Sequence, residues 1–197
     1  VYFLPLGGLI IAALYKGFHM ENDRGTNTVL ANIHAQSEIP FRMAPLIFIS
    51  TVITHLFGGS AGREGAALQL GGSIGNKIGA VIGLDDEDRR VMVMCGMSAA
   101  FSALFGTPMA AAIFPMEMVS VGVMYYAALF PCVISSVVAT KFAATMGISP
   151  EAYKILEIPT LTLGSGGKIV ILSIICAMIS AVFCIILHET AGLFQKY

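Results

Sequence analysis

The chain has 197 residues, of which 56% are hydrophobic and only 12% are charged, and its mean hydropathy is +0.82. The charged share is about half of that usual in soluble globular proteins, and a soluble domain of this length could not bury so much apolar surface. With a net charge of −1, no basic surface points to nucleic acid. We therefore expect a multi-pass integral protein of the cell membrane, in contact with membrane lipid.

Charge is absent from five long stretches of the chain. Lys, Arg, Asp and Glu are missing from residues 1–15, 43–62, 91–116, 118–140 and 169–187. Several of these stretches reach the length that a helix needs to cross the hydrocarbon core. The four cysteines lie in apolar stretches without CxxC spacing, which indicates packing rather than disulfides or a metal site. We expect no metal and no cofactor.

Eight helical segments are predicted in chain order. They cover residues 2–19, 27–34, 40–57, 66–82, a fifth segment through 91–104, then 108–119, 121–146 and 168–196. Thr26 suits the N-cap of the second helix, and Pro40 suits the first turn of the third. Four acids at residues 85–88 favour the start of the fifth helix there, because a helix N-terminus stabilises negative charge.

The breaks between these helices are unusual for a simple bundle. They fall near Thr26, at residues 58–65 and at residues 105–107, between apolar segments that lie at membrane depth. Non-helical backbone at that depth is tolerated only when it is buried in protein or lines a wet cavity. Broken helices that meet near the midplane can form ion sites. We therefore predict that the breaks near Thr26, at residues 62–65 and at residues 106–107 converge in space.

A stripe of glycines marks the fourth predicted helix. Gly71, Gly75, Gly79 and Gly83 recur every four residues and so share one helix face. Such stripes allow two helices to approach closely in lipid. Small residues within 95–103 suggest the close-packed neighbour.

The most informative stretch is residues 58–65, Gly-Gly-Ser-Ala-Gly-Arg-Glu-Gly. Glycines expose backbone N–H groups, and the helix that follows directs its positive dipole end at the loop, so the stretch favours anion binding. Glu64 is itself an anion and competes for the same site, whereas protonation, which burial favours, would free it. The alternative is that Glu64 only caps its helix.

These residues resemble a known family. Residues 62–65 (Gly-Arg-Glu-Gly), with their surroundings from Thr54 to Ser73 and the run 101–110, are similar to the signature of CLC chloride channels and anion/proton antiporters. The resemblance implies an all-α integral membrane fold with tilted, broken and short re-entrant helices. Residues 1–197 would form its N-terminal half, about one inverted repeat from the third helix to the tenth. The chain begins without Met inside an apolar segment, which suggests a piece of a longer protein.

Site residues follow from the resemblance position by position. Glu64 resembles the gating glutamate, and Glu117 resembles the first of two acids at the end of the eighth family helix, a candidate for proton transfer or for a place at the membrane interface. Met118 replaces the second acid of that pair. The expected anion-binding residues are Gly25, Thr26, Asn27, Gly62, Arg63, Gly65 and Ala66.

The resemblance implies transport of chloride or another halide, coupled to protons, by a homodimer with one pore in each subunit. Ala66 stands where the family signature commonly has Pro, as in the fluoride-exporting branch, so a fluoride/proton antiporter is an alternative. A passive voltage-gated chloride channel is another. An intramembrane enzyme lacks support, because there is no paired catalytic carboxylate, HExxH or GxSxG motif. A purely structural membrane protein would explain the glycine stripe but not Glu64.

Overall fold

The computed structural model describes residues 3–21, 25–35, 39–119, 125–150, 160 and 162–195. Within these ranges the chain is helical and contains no β-strand. The helices are α1 Leu4–Gly17, α2 Thr26–Ala35, α3 Met43–Leu56, α4 Arg63–Val81, α5 Asp86–Phe105, α6 Pro108–Val119, α7 Leu129–Thr145 and α8 Leu163–Gln195. A single 3-10 turn, Tyr126–Ala128, leads into α7. The prediction of an all-α chain with eight helical segments is confirmed.

Several helix starts differ from the predicted ones. α2 begins at Thr26 itself, and α3 begins at Met43 because Pro40 lies in the preceding turn. α4 begins at Arg63, three residues before the prediction, because Gly62 is extended (φ −66°, ψ 138°) and the helix follows at once. The predicted start of the seventh helix at residue 121 lies outside the described residues.

The polar turn before α5 behaves as its sequence predicts. Asp85 is the N-cap residue, and its side chain accepts a hydrogen bond of 2.9 Å from the backbone N–H of Asp88. Such a cap satisfies one of the unpaired N–H groups at a helix start. At the other end Gly106 adopts the left-handed conformation (φ 66°) and its N–H bonds to the carbonyl of Ser102, so the break between α5 and α6 is a glycine C-cap.

Residues 1–152 and 153–197 form two separate units. In the first unit α4 and α5 cross most closely. A β-carbon added to Gly71 would collide with the carbonyl oxygen of Gly96, and one added to Gly96 would collide with the carbonyl of Gly71. Gly75 is equally tight against the carbonyl of Met92. The predicted glycine contact between these two segments is therefore confirmed.

Gly83 is the exception in the predicted stripe. It has φ +75° and no atom within 4 Å of an added β-carbon. It lies just beyond the end of α4, where a left-handed residue stops the helix, so it does not pack against a neighbour. The stripe is therefore three glycines long, and Gly79 at its end meets the Arg89 side chain.

Hydroxyl groups join α5 to α7. Ser98 Oγ donates to the carbonyl of Cys132 at 3.0 Å, and Ser102 Oγ donates to the carbonyl of Ser136 at 2.9 Å. In the reverse direction Ser135 Oγ donates to the carbonyl of Cys95 at 2.7 Å. Small hydroxyl residues allow close approach and also satisfy their own polar groups, as expected for helices packed in lipid. The apolar core beside them is formed by Val29, Met43, Leu68, Val93, Met94, Met97, Ala112, Met116 and Cys132.

Two described helical segments are long and apolar enough to cross a membrane. Tyr126–Thr145 has a mean hydropathy of 1.7, and Gly164–Thr190 in the second unit has a mean hydropathy of 3.1. The second is 27 residues long, which corresponds to about 40 Å of helix against a hydrocarbon core of about 30 Å. Leu4–Gly17 and Met43–Leu56 are shorter apolar helices.

Candidate functional site

The start of α4 forms one side of the site. Gly62 is the N-cap residue, and Arg63, Glu64 and Gly65 lie in the first helical turn. The N–H groups of a first turn have no partner within the helix, and they carry the positive end of the helix dipole. The 62–65 motif is therefore a helix start rather than the open loop that the sequence predicts, and the anion hypothesis then depends on the N–H groups of this first turn.

The start of α2 meets the start of α4. A β-carbon added to Gly65 would lie 3.0 Å from Thr26 Oγ1, so any larger residue at position 65 would press on that hydroxyl. Gln69 Nε2 donates a hydrogen bond of 3.3 Å to the same Thr26 oxygen. Gly25, just before α2, has φ +63° and lies next to the Gln69 side chain. This left-handed backbone conformation favours glycine over other residues. Two helix N-termini thus converge on one place.

Glu64 lies at the open side of this junction. Its Oε2 is 3.1 Å from the position of a β-carbon on Gly62, so the carboxylate folds back over the residue that starts the helix. The prediction that this side chain is buried is wrong for the described residues, among which it is exposed. Glu64 lies in the first turn of α4, and Gly62, two residues before it, has no side chain that could cover it.

A cavity of about 350 Å³ lies in front of the 62–65 motif. The α3 side of the cavity carries the hydroxyl groups of Ser50, Thr51 and Thr54. Each hydroxyl donates to a carbonyl four residues earlier in α3, at 2.8, 2.7 and 2.8 Å respectively. The remaining lining residues are Ile11, Tyr15, Ile47, Ala61, Gly62, Gly65, Ala66 and Gln69. The cavity is thus bounded by polar groups and by a helix start, without a Lys or Arg side chain among its lining residues.

A second cavity of about 210 Å³ adjoins the first along α3 and α4, and Ile47 and Thr51 line both. It is lined mainly by apolar residues of α3 and α4, together with Arg63 and with Leu104 near the end of α5. Ala66 lines both cavities. The breaks near Thr26 and at residues 62–65 therefore converge as predicted. Residues 106–107, the third break, are not among the lining residues of either cavity. Leu104, two residues before this break, lines the second cavity.

The other predicted site residues lie apart from this junction. Asn27 is exposed on the first turn of α2. Glu117 is exposed near the end of α6, with Met118 half-buried beside it. Sequence reasoning missed Gln69 and the three hydroxyl residues of α3. The spacing of Ser50, Thr51 and Thr54, which places polar groups on one face of a charge-free segment, was the available signal.

Apolar helices thus break around a cavity with polar groups in its lining, and two helix starts and one carboxylate lie beside it. The family model for the voltage gated chloride channel matches residues 7–197. The chain therefore belongs to this family, the CLC family, as its sequence motifs indicate.

Relatives and solved structures agree with the family. The chain is 38% identical over 197 residues to a chloride/fluoride channel protein of Pseudomonas syringae pv. tomato, covering 100% of this chain and 43% of the relative. It is 28% identical over 162 residues to the H(+)/Cl(-) exchange transporter ClcA of Salmonella paratyphi B, covering 80% and 34%. The crystal structure of a CLC-type fluoride/proton antiporter is similar with a TM-score of 0.83 and 32% identity, over 90% of this chain and 45% of that one. The chain thus spans less than half the length of these proteins.

Proposed function

We propose that this chain supplies one part of a CLC-type pathway for a halide ion, as the N-terminal half, or first inverted repeat, of a multi-pass transporter in the cell membrane. The observation that carries the proposal is the meeting of two helix starts at Thr26 and Gly65 beside the Glu64 carboxylate. Partial positive charge from helix ends attracts an anion without the tight hold that a full charge would impose on a permeant ion. The protein acts as a transporter, not as an enzyme.

Glu64 is the proposed gate of this pathway. As a carboxylate it competes with the halide for the donors at the start of α4, and as a neutral acid it releases them. Its exposure and its approach to Gly62 give it room to move toward or away from that helix start. Gly25, Thr26, Asn27, Gly62, Arg63, Gly65 and Ala66 are the proposed anion-binding residues. Glu117 is the proposed proton-transfer residue, since Met118 cannot carry a proton.

Fluoride/proton exchange is the second candidate. The similar proteins at 38% and 32% identity are a chloride/fluoride channel protein and a fluoride/proton antiporter, and Ala66 replaces the Pro that is common in the chloride signature. A passive channel would share the helix starts but would not need Glu64 to carry protons. The candidates differ in the ion that moves and in whether protons move with it.

Paired efflux measurements test the proposal. Liposomes that contain the purified full-length protein should release fluoride or chloride faster than protein-free liposomes, and proton uptake should accompany the release. Fluoride release with proton uptake would identify the antiporter of the fluoride branch. Release without proton movement would identify a channel, and the absence of release for both ions would contradict the proposed function.

Family membership also supports a homodimer with a separate pore in each subunit. The proposed interface includes residues 110–119 and 121–140, of which 120–124 lie outside the described residues. α7 exposes large apolar side chains on this surface, among them Phe130 (74% exposed) and Val138 (61%). We expect the full-length protein to be dimeric in detergent, measured by light scattering after size exclusion. Phe130→Glu should shift it toward monomer, because a charge in an apolar contact remains unpaired. A wild-type protein that is monomeric at all concentrations would contradict this expectation.

A further inference from the structure

Gln69 is a buried amide beside the proposed anion site. It follows Gly65 by one turn of α4, its side chain is 6% exposed, and the residue lines the cavity in front of the 62–65 motif. Its Nε2 donates to Thr26 Oγ1 at 3.3 Å. Its Oε1 has no hydrogen-bond partner among the residues that the structure describes. The amide nitrogen thus donates a hydrogen bond to Thr26, whereas the amide oxygen has no donor among the described residues.

The unsatisfied atom determines what kind of ligand the amide can take. An amide oxygen only accepts hydrogen bonds, and its negative partial charge repels a bare halide. A buried acceptor without a partner is unfavourable, so a species that donates a hydrogen is favoured next to it. Because Oε1 is shielded from solvent on every side, the side chain has to turn toward the cavity before a donor there can reach it.

The engaged half of the amide acts on Thr26. Because Gln69 donates to the Thr26 oxygen, that hydroxyl retains its own hydrogen for another acceptor. A halide beside Gly65 is such an acceptor. Gln69 therefore leaves a hydrogen donor, the Thr26 hydroxyl, and an acceptor, its own Oε1, close to each other.

We propose that Gln69 is a specificity-determining residue whose Oε1 binds a water molecule that stays on the halide as the ion enters the site. This inference rests on the proposed function, because it assigns a second role at the same site. Fluoride is smaller than chloride and holds its water more strongly, so a site that keeps one water on the ion lowers the dehydration cost of fluoride more. Gln69 thus favours fluoride over chloride.

Gln69→Met tests the inference, because methionine keeps the length of the side chain but removes the N–H donor and the oxygen acceptor of the amide. In liposomes with the full-length protein, the ratio of fluoride to chloride efflux should fall by about three- to tenfold, the effect of one hydrogen bond. Asn76→Leu is the matched control. Asn76 is another buried amide, two turns further along α4, whose Nδ2 donates to the carbonyl of Ile39 at 3.1 Å. The Asn76→Leu substitution should leave the ratio of fluoride to chloride efflux unchanged.

The outcomes separate this inference from the proposed function. Equal loss of fluoride and chloride efflux in Gln69→Met, with a lower unfolding temperature as in Asn76→Leu, would assign Gln69 a structural role and overturn the inference. A changed proton-to-fluoride ratio with unchanged anion selectivity would also overturn it, because the hydrogen donor would then be the protonated Glu64. If the wild-type protein moves neither ion, the proposed function itself fails.

Discussion

Glu64→Gln should abolish proton coupling and leave the fold intact. The amide has nearly the same volume as the carboxyl group but cannot carry a proton through a transport cycle. The fold should persist because the side chain is exposed and the backbone at Gly62 and Gly65 does not depend on it. In liposomes with the full-length variant, proton uptake driven by an anion gradient should fall to the level of protein-free liposomes.

The anion flux of this variant reports which branch of the family the protein resembles in mechanism. If the carboxylate only blocks the site, anions should leak without protons, as in a chloride-type antiporter. If the carboxylate has to displace the ion, flux should stop, as in a fluoride-type exporter.

Glu87→Gln is the matched control for the capping alternative. Glu87 is also an exposed acid in the first turn of a helix, at the start of α5. If Glu64 only stabilises its helix end, both variants should lose a similar amount of stability, about 1 kcal/mol or less, and both should keep proton coupling. Normal anion-driven proton movement in Glu64→Gln would contradict the gating role.

Gly96→Ala should destabilise the protein more than the other substitutions considered above. The added methyl group would collide with the carbonyl of Gly71, and backbone cannot move aside as a flexible side chain can. Overpacking of this kind costs about 3 kcal/mol, which exceeds the gain in helix propensity of about 1 kcal/mol from Gly to Ala. We expect a clearly lower midpoint of thermal unfolding in detergent, together with weaker transport, because α5 supports the helix that begins at the proposed anion site.

Gly8→Ala provides the control for this substitution. Gly8 lies within α1 and has no atom within 4 Å of an added β-carbon. The same chemical change should therefore leave stability unchanged or raise it by up to about 1 kcal/mol. Gly71→Ala should behave like Gly96→Ala, since the two residues form one crossing. Equal unfolding midpoints for Gly96→Ala and Gly8→Ala would show that α4 and α5 do not pack as described.

The class of fold, the family and the approximate positions of the helices are all predicted correctly from local sequence patterns. Long segments without charge indicate helices in lipid regardless of how they pack, because the cost of burying charge acts on each segment separately. The glycine spacing in residues 71–79 likewise predicts a close crossing, since the four-residue repeat of a helix fixes the face on which these residues lie. The prediction is wrong for Gly83, because this residue lies beyond the end of α4. Glycine is favoured there by the left-handed backbone conformation and not by a close helix contact.

The contacts at the candidate site could not be predicted in the same way, because they depend on how the helices pack. Thr26 and Gly65 are far apart in sequence, and their contact depends on how α2 packs against α4. Gln69 has no motif that distinguishes it from other glutamines, and its importance arises from a bond to Thr26 and from an oxygen without a partner. The exposure of Glu64 also depends on its surroundings. A local pattern records the preferences of one segment, whereas hydrogen-bond partners and cavities are properties of several segments packed together.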